Sequence, residues 1–281
     1  MEQIPRRLTG KVVVVTGSTK GLGAAMSRRF AAEGAQVVIS GRNEEHGQAV
    51  ERGIRDDGGQ AHYIPCDASR EDAVRRLMSG TVERFGRIDG LVNNAMPMDD
   101  MGSAERAVAD IDSDAFDGIL KVGLYGSVWA CKYAIPVMVR GGGGSIINIT
   151  SIAAVAGIPN MPGYTACKGA MAALTRQMAV DYGSRGVRVN SMLPGFLLST
   201  ELATAVEGHA VAGPLVRDGQ LTRWGEYDDI SNMAAYLLSG ESGFITGCEM
   251  RIDGGWTANA HIPDLVGMVF APMAATGTEG G

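Results

Sequence analysis

Short apolar runs recur along the chain near residues 12–16, 36–40, 61–65, 89–92, 145–150, 187–193 and 248–252. Stretches with a helical spacing of apolar residues separate them. Alternation of this kind predicts βαβ units and a parallel sheet. Lys11–Thr16 reads KVVVVT, a β-branched run apolar at successive positions, as in a strand buried on both faces. Ala24–Glu33 reads as an amphipathic helix, and Gly34 as its stop. Longer apolar helices are expected over Ser113–Arg140 and Pro162–Gly183, with a buried strand at Ser145–Thr150 between them. The glycine run Gly141–Gly144 precedes a strand, so it reads as a flexible turn and not as a phosphate loop.

The turn after the first strand has the sequence TGSTKGLG, Thr16–Gly23. Strand, glycine turn and helix form the context of a dinucleotide site. Gly17 allows a tight turn, Gly21 lets backbone approach pyrophosphate, and Gly23 lets helix and strand pack closely. The helix N-terminus then offers unpaired N–H groups and partial positive charge to phosphate.

A second pattern carries proton chemistry. Tyr164 and Lys168 stand at i and i+4, on one helical face, and Ser151 ends the run that precedes them. A neighbouring ammonium favours phenolate, so the tyrosine is expected to fall below its reference pKa of about 10. Such a tyrosine exchanges a proton with an alcohol or carbonyl oxygen. The Ser151 hydroxyl is placed to donate to the same oxygen, while strand alternation turns Thr150 to the opposite face.

Composition narrows the setting. A chain of 281 residues with 45% hydrophobic content suffices for one large α/β domain. A formal charge of −6 without a basic tract argues against a nucleic-acid partner. Cys66, Cys131, Cys167 and Cys248 show neither metal spacing nor a short disulfide framework, and Cys167 reads as a small core residue. The first residues lack a signal-peptide core, and no apolar run reaches the ~20 residues that span a bilayer, so no membrane association and a cytoplasmic location are expected.

Taken in order, TGSTKGLG (Thr16–Gly23), CDAS (Cys66–Ser69), NNA (Asn93–Ala95), Ser151, YTACK (Tyr164–Lys168), PGF (Pro194–Phe196) and DGGW (Asp253–Trp256) resemble the short-chain dehydrogenase/reductase family. The resemblance runs from about residue 8 to 258. It implies a Rossmann-type, doubly wound seven-stranded parallel sheet with helices on both faces, in one domain over residues 1–260. It implies Ser151, Tyr164 and Lys168 as catalytic residues, with Tyr164 as acid/base, Lys168 also holding the nicotinamide ribose and Ser151 orienting the substrate oxygen. The cofactor is assigned to Gly17, Ser18, Thr19, Lys20, Gly21, Leu22 and Gly23. Cys66, Asp67 and Ala68 would lie near the adenine, Asn94 and Ala95 along the adenosine ribose, Met96 close to the nicotinamide, and Pro194, Gly195 and Leu197 at the carboxamide. The second strand ends in Gly41-Arg42, with no acid to bind a ribose 2′-hydroxyl. An arginine suits a 2′-phosphate, so NADP(H) is favoured; neutralisation of Arg42 by Glu44 or Glu45 keeps NAD(H) as the alternative.

Two positions depart from the family. Met96 replaces a glycine beside the nicotinamide, implying a tighter pocket. Gly123 aligns with an asparagine that positions a proton-relaying water; glycine also weakens a helix by roughly 0.5–1 kcal/mol. Slower but real activity is implied, with water filling the gap and Gly123→Asn raising the rate; an engineered glycine or a scaffold drifted to another task are the alternatives. Residues 198–227 are expected to form a substrate lid, with Leu202, Val206, Leu215, Leu221 and Trp224 over an apolar substrate or else covering the core. Met96, Met98, Met101 and Met161 add adaptable surface. An apolar or cyclic ketone suits this lining better than a sugar phosphate. An apolar extension, 261–281, would pack on a neighbouring subunit or the active site, and its final residues are expected to be disordered. The family implies a homotetramer or homodimer. The expected activity is interconversion of a ketone and a secondary alcohol; the alternatives are a weakened cofactor-binding protein, and epimerisation or elimination with retained nicotinamide.

Overall fold

The computed structural model describes residues 6–98, 105–198 and 201–259, except the side chains of 201–203 and 215. The expectations for Met101, for the side chains of Leu202 and Leu215, and for the extension 261–281 fall outside these residues.

The strands are β1 (Val12–Val15), β2 (Gln36–Gly41), β3 (Gln60–Pro65), β4 (Gly90–Asn93), β5 (Gly144–Ile149), β6 (Val187–Pro194) and β7 (Glu249–Ile252). They form one seven-stranded sheet in the order β3-β2-β1-β4-β5-β6-β7, with every pairing parallel. The helices are α1 (Gly21–Ala32), α2 (Glu44–Asp56), α3 (Glu71–Phe85), α4 (Ser113–Leu120), α5 (Gly126–Arg140), α6 (Pro162–Tyr182), α7 (Glu201–Gly208), α8 (Ala212–Gly219) and α9 (Tyr227–Leu238).

The successive apolar positions have their predicted cause. Val13 and Val15 join the core layer with α1, α2 and α9, whereas Val14 joins the layer with α3, α5 and α6. Ile147 and Ile146 divide in the same way. Strand side chains alternate between faces, so a sheet covered on both faces needs apolar residues at every position.

The chain leaves β1 toward β2 and β3, then returns to place β4 on the other side of β1. The loops after β1 and β4 therefore part at the carboxyl edge and open the crevice where this sheet class binds ligands. Helix α1 begins at Gly21, earlier than the expected Ala24, so the last glycines of the turn form the first helical residues.

The helix expected over Ser113–Arg140 is interrupted. A π-helical turn, Lys121–Tyr125, separates α4 from α5. By length and composition alone Ser113–Arg140 would be long and apolar enough to cross a membrane. In this fold its residues Ala130, Ala134, Ile135 and Met138 pack in the sheet core.

The π turn carries Gly123, which is buried. A Cβ at this position would stand 2.6 Å from Cys167 Sγ and 2.7 Å from Met96 Sδ. The gap expected to hold a water is instead lined by two sulfur atoms at contact distance, which corrects that expectation. Ile119 and Met171 complete the apolar cluster around Cys167 and Met96. Cys167 is 1% exposed and has only one χ angle, so it cannot swing aside as Met96 can. Gly123→Asn is therefore expected to destabilise the fold by about 1–3 kcal/mol through overpacking, reversing the gain in activity expected from sequence. Thermal denaturation measures this, with Gly123→Asn/Cys167→Ala expected to recover most of the loss. A single variant melting with the wild type removes the steric argument.

Candidate active site

The glycine turn lies between β1 and α1. Gly17 adopts φ +63°, and a Cβ there would stand 2.7 Å from Ala95 Cα. A Cβ at Gly23 would run into the Gly17 carbonyl. Gly21, at φ +56°, meets only the Tyr227 hydroxyl, at 3.4 Å. Gly17 and Gly23 thus answer to the protein's own packing, while a side chain at Gly21 would make only an ordinary contact with the Tyr227 hydroxyl. No side chain caps α1 and no acid lies in its first turn, so its N-terminal field remains electropositive.

The turn is held by its neighbours. The Asn94 side-chain amide donates to Thr16 O at 3.1 Å and Gly17 O at 2.9 Å. The backbone amides of Asn94 and Ala95 donate to the Thr16 hydroxyl at 3.0 and 3.1 Å. Ser18 is fully buried: its hydroxyl donates to Val15 O and accepts from the Ser40 amide, while its own amide donates to Ser40 O. Ser18 therefore shapes the turn and has neither group left for a ligand. Lys20 and Leu22 flank Gly21 at the start of α1, with Leu22 packed against the core.

At the end of β2, Arg42 is exposed. A Cβ at Gly41 would stand 2.7 Å from Thr19 Cγ2, so an acidic side chain there would have to displace Thr19. Glu44 accepts a hydrogen bond from Gln48, and among the described residues no ion pair joins it or Glu45 to Arg42. Cys66 is buried after β3, its thiol pushed up to about 12 by desolvation. Asp67 accepts from the Ser69 amide and hydroxyl, fixing the turn that carries Ala68. Past β6, Pro194 closes the strand; Gly195 lies against Asp253, where a Cβ would stand 2.7 Å from its Cα; Leu197 bridges to Gly225. Val216 and Trp224 form a separate small core with Phe196, Leu198, Val206 and Trp256, while Leu221 is 63% exposed.

Ser151, Tyr164 and Lys168 converge at the carboxyl end of β5. Ser151 is buried, and its hydroxyl accepts from the Ala153 amide at 3.2 Å. Thr150 donates to Met192 O at 2.8 Å, on the sheet side, and cannot replace it. Lys168 is 5% exposed, donates to Ile149 O at 2.7 Å and stands 5.4 Å above the Tyr164 ring centroid. The electrostatics correct the sequence reading. Burial pushes the Tyr164 phenol above its ordinary value, opposed by a hydrogen bond from Ser151. Burial also lowers the Lys168 ammonium. The ammonium is directed to a backbone carbonyl and the ring face, so desolvation governs the phenol in this state.

Two features were missed in the sequence. Asn93 donates to Asn148 at 2.8 Å, and Asn148 donates to Thr175 at 2.8 Å, linking β4, β5 and α6 through the core. Polar residues inside apolar strand runs were the only hint. Glu105 is 5% exposed and accepts from the amides of Gly163 at 3.1 Å and Tyr164 at 2.5 Å. It lies 58 positions from Gly163, with no local motif to mark it.

Comparisons with known proteins point to one family. Residues 17–257 match the family profile described as "Enoyl-(Acyl carrier protein) reductase". The chain is 41% identical to L-fucose dehydrogenase of Oryctolagus cuniculus over 260 residues, 89% of this chain and 86% of the relative. It is 35% identical to 2,5-dichloro-2,5-cyclohexadiene-1,4-diol dehydrogenase of Sphingobium indicum over 253 residues, 89% of this chain and 98% of the relative. A gluconate 5-dehydrogenase from Burkholderia cenocepacia, solved with NADP and tartrate, superposes with a TM-score of 0.84 at 31% identity, covering 92% of this chain and 100% of that one. The chain belongs to the short-chain dehydrogenase/reductase family and is an oxidoreductase.

Proposed function

We propose that this protein interconverts a ketone and a secondary alcohol with NADP(H), using Tyr164 as the proton donor and acceptor. The observation that carries the reading is the meeting of Ser151, Tyr164 and Lys168 at the end of β5, beside a crevice flanked by the glycine turn. The nicotinamide, when bound, supplies or accepts hydride. Gly21 leaves room for the approach of pyrophosphate, and the uncapped N-terminus of α1 supplies donors and field. The diol, fucose and gluconate dehydrogenases all act, by name, on hydroxylated compounds.

Ser151 orients the substrate oxygen, and Tyr164 gives it a proton in the reducing direction. Lys168 holds positive charge beside the phenol, which steadies the phenolate left behind. Tyr164→Phe is expected to reduce turnover by about 10²-fold or more while leaving NADPH affinity nearly unchanged. Steady-state kinetics with a panel of carbonyl compounds, beside a binding titration, measures both; an unchanged rate removes Tyr164 from this role.

The raised phenol sets the sign of the pH dependence. Carbonyl reduction needs the protonated phenol, which is present throughout the neutral range. Alcohol oxidation needs phenolate, so its rate is expected to climb from about pH 7 to about pH 10, while reduction declines only toward the alkaline end. An oxidation rate flat across that interval contradicts the assignment.

Arg42 is exposed directly after β2, where an arginine suits a 2′-phosphate, and a side chain at Gly41 would have to displace Thr19. Arg42→Ala is expected to weaken NADPH about 10-fold or more, with little effect on NADH. Equal losses for the two coenzymes would reverse the preference.

A further inference from the structure

Helix α6 begins without a local cap. Met161, at its N-cap position, provides no side-chain hydrogen bond, whereas Asn43, Asp112 and Glu226 cap α2, α4 and α9 from adjacent sequence. The first amides of a helix have no partner within it. Here Glu105 serves two of them from outside: Oε2 accepts from Gly163 at 3.1 Å and Oε1 from Tyr164 at 2.5 Å. The second of these amides belongs to the proposed proton donor itself.

The contact is built into the packing. A Cβ at Gly163 would stand 3.1 Å from Ile119 Cδ1, and 3.3 Å from both Phe116 Cδ2 and Glu105 Oε1. Glycine therefore lets the start of α6 sit against α4 and the carboxylate together. Glu105 is 5% exposed, and among the described residues no ion pair answers its charge. The helix N-terminus does so, through two charge-assisted hydrogen bonds and its dipole. One turn further on, Lys168 fixes the same helix to Ile149 O. Tyr164 is thus bracketed by a carboxylate on its own amide and an ammonium held to β5.

We propose that Glu105 is a positioning residue for proton transfer: its carboxylate, clamped on the Gly163 and Tyr164 amides, fixes the phenol relative to Ser151 and Lys168. This rests on the role proposed above for Tyr164. Misplacing a reacting group by about 1 Å can reduce the rate by about 10²-fold, so a loosened helix start matters even when the fold persists.

The test uses the full-length protein with Glu105→Gln and Gly163→Ala, beside the wild type and Tyr164→Phe. Glutamine keeps the volume of Glu105 but turns a donor group toward one of the two amides. Gly163→Ala presses on the clamp from the other side. Hydrogen exchange across residues 161–168 reads the clamp without any activity and is expected to quicken about 10-fold or more in both variants. In kinetics, kcat is expected to fall about 10–100-fold, with the NADPH dissociation constant within about twofold and a larger solvent isotope effect on kcat. Unchanged exchange overturns the clamp. Faster exchange with an unchanged kcat, or kcat, coenzyme affinity and thermal midpoint falling together, overturns the positioning role. A wild type that turns over no carbonyl or alcohol overturns the functional reading and this role with it. An active wild type with an unaffected Glu105→Gln overturns only the role of Glu105.

Discussion

A positively charged amine kept out of water is the constraint around which this site is arranged. Lys168 is 5% exposed, and its ammonium donates to the carbonyl of Ile149. Taking an ammonium out of water is unfavourable, and a partner must be fixed in place to offset it. That partner lies at the carboxyl end of β5, where the next backbone amide, Thr150, is already bound to Met192 O. The amine therefore ties α6 to the sheet edge. Tyr164 lies one turn back on the same helix and cannot move independently of this anchor.

The remaining holds on α6 are polar as well. The Asn93–Asn148–Thr175 chain runs through the core beneath the site, and the Thr175 hydroxyl donates to Met171 O. In a medium of low polarity such a chain has few alternative arrangements, so it fixes the register of helix against strands. Its satisfaction is not complete: Asn93 Oδ1 is buried without a partner. Hydrophobic contact alone would bring α6 to the sheet but would tolerate sliding. Directional bonds remove that freedom.

Met96, Gly123 and Cys167 belong to one piece of packing. A side chain at 123 would meet the sulfur atoms of the other two, so each of the three residues makes sense only beside its neighbours. The π turn brings the Gly123 backbone close to α6, with the Gly123 carbonyl accepting from the Ser127 hydroxyl at 2.7 Å. Interrupted helices of this type recur at functional sites because the wider turn re-aims backbone groups. Read singly along the chain, the departures at 96 and 123 suggest lost parts. In three dimensions they are a different filling of the same space.

The sheet was legible from local pattern because burial on both faces demands runs of apolar, β-branched residues, a property of each segment alone. The glycine turn was legible for a similar reason: Gly17 and Gly21 have positive φ, and the need for glycine is local. The i, i+4 spacing of Tyr164 and Lys168 followed from helical periodicity. The sign of the tyrosine shift did not, because desolvation depends on what the whole chain places around the phenol. The break between α4 and α5, the committed groups of Ser18 and the filled space at Gly123 were equally hidden, since each is decided by atoms distant in sequence. Glu105 marks the limit most clearly. A carboxylate in a polar stretch means nothing by itself, and only folding sets it on the amide of Tyr164.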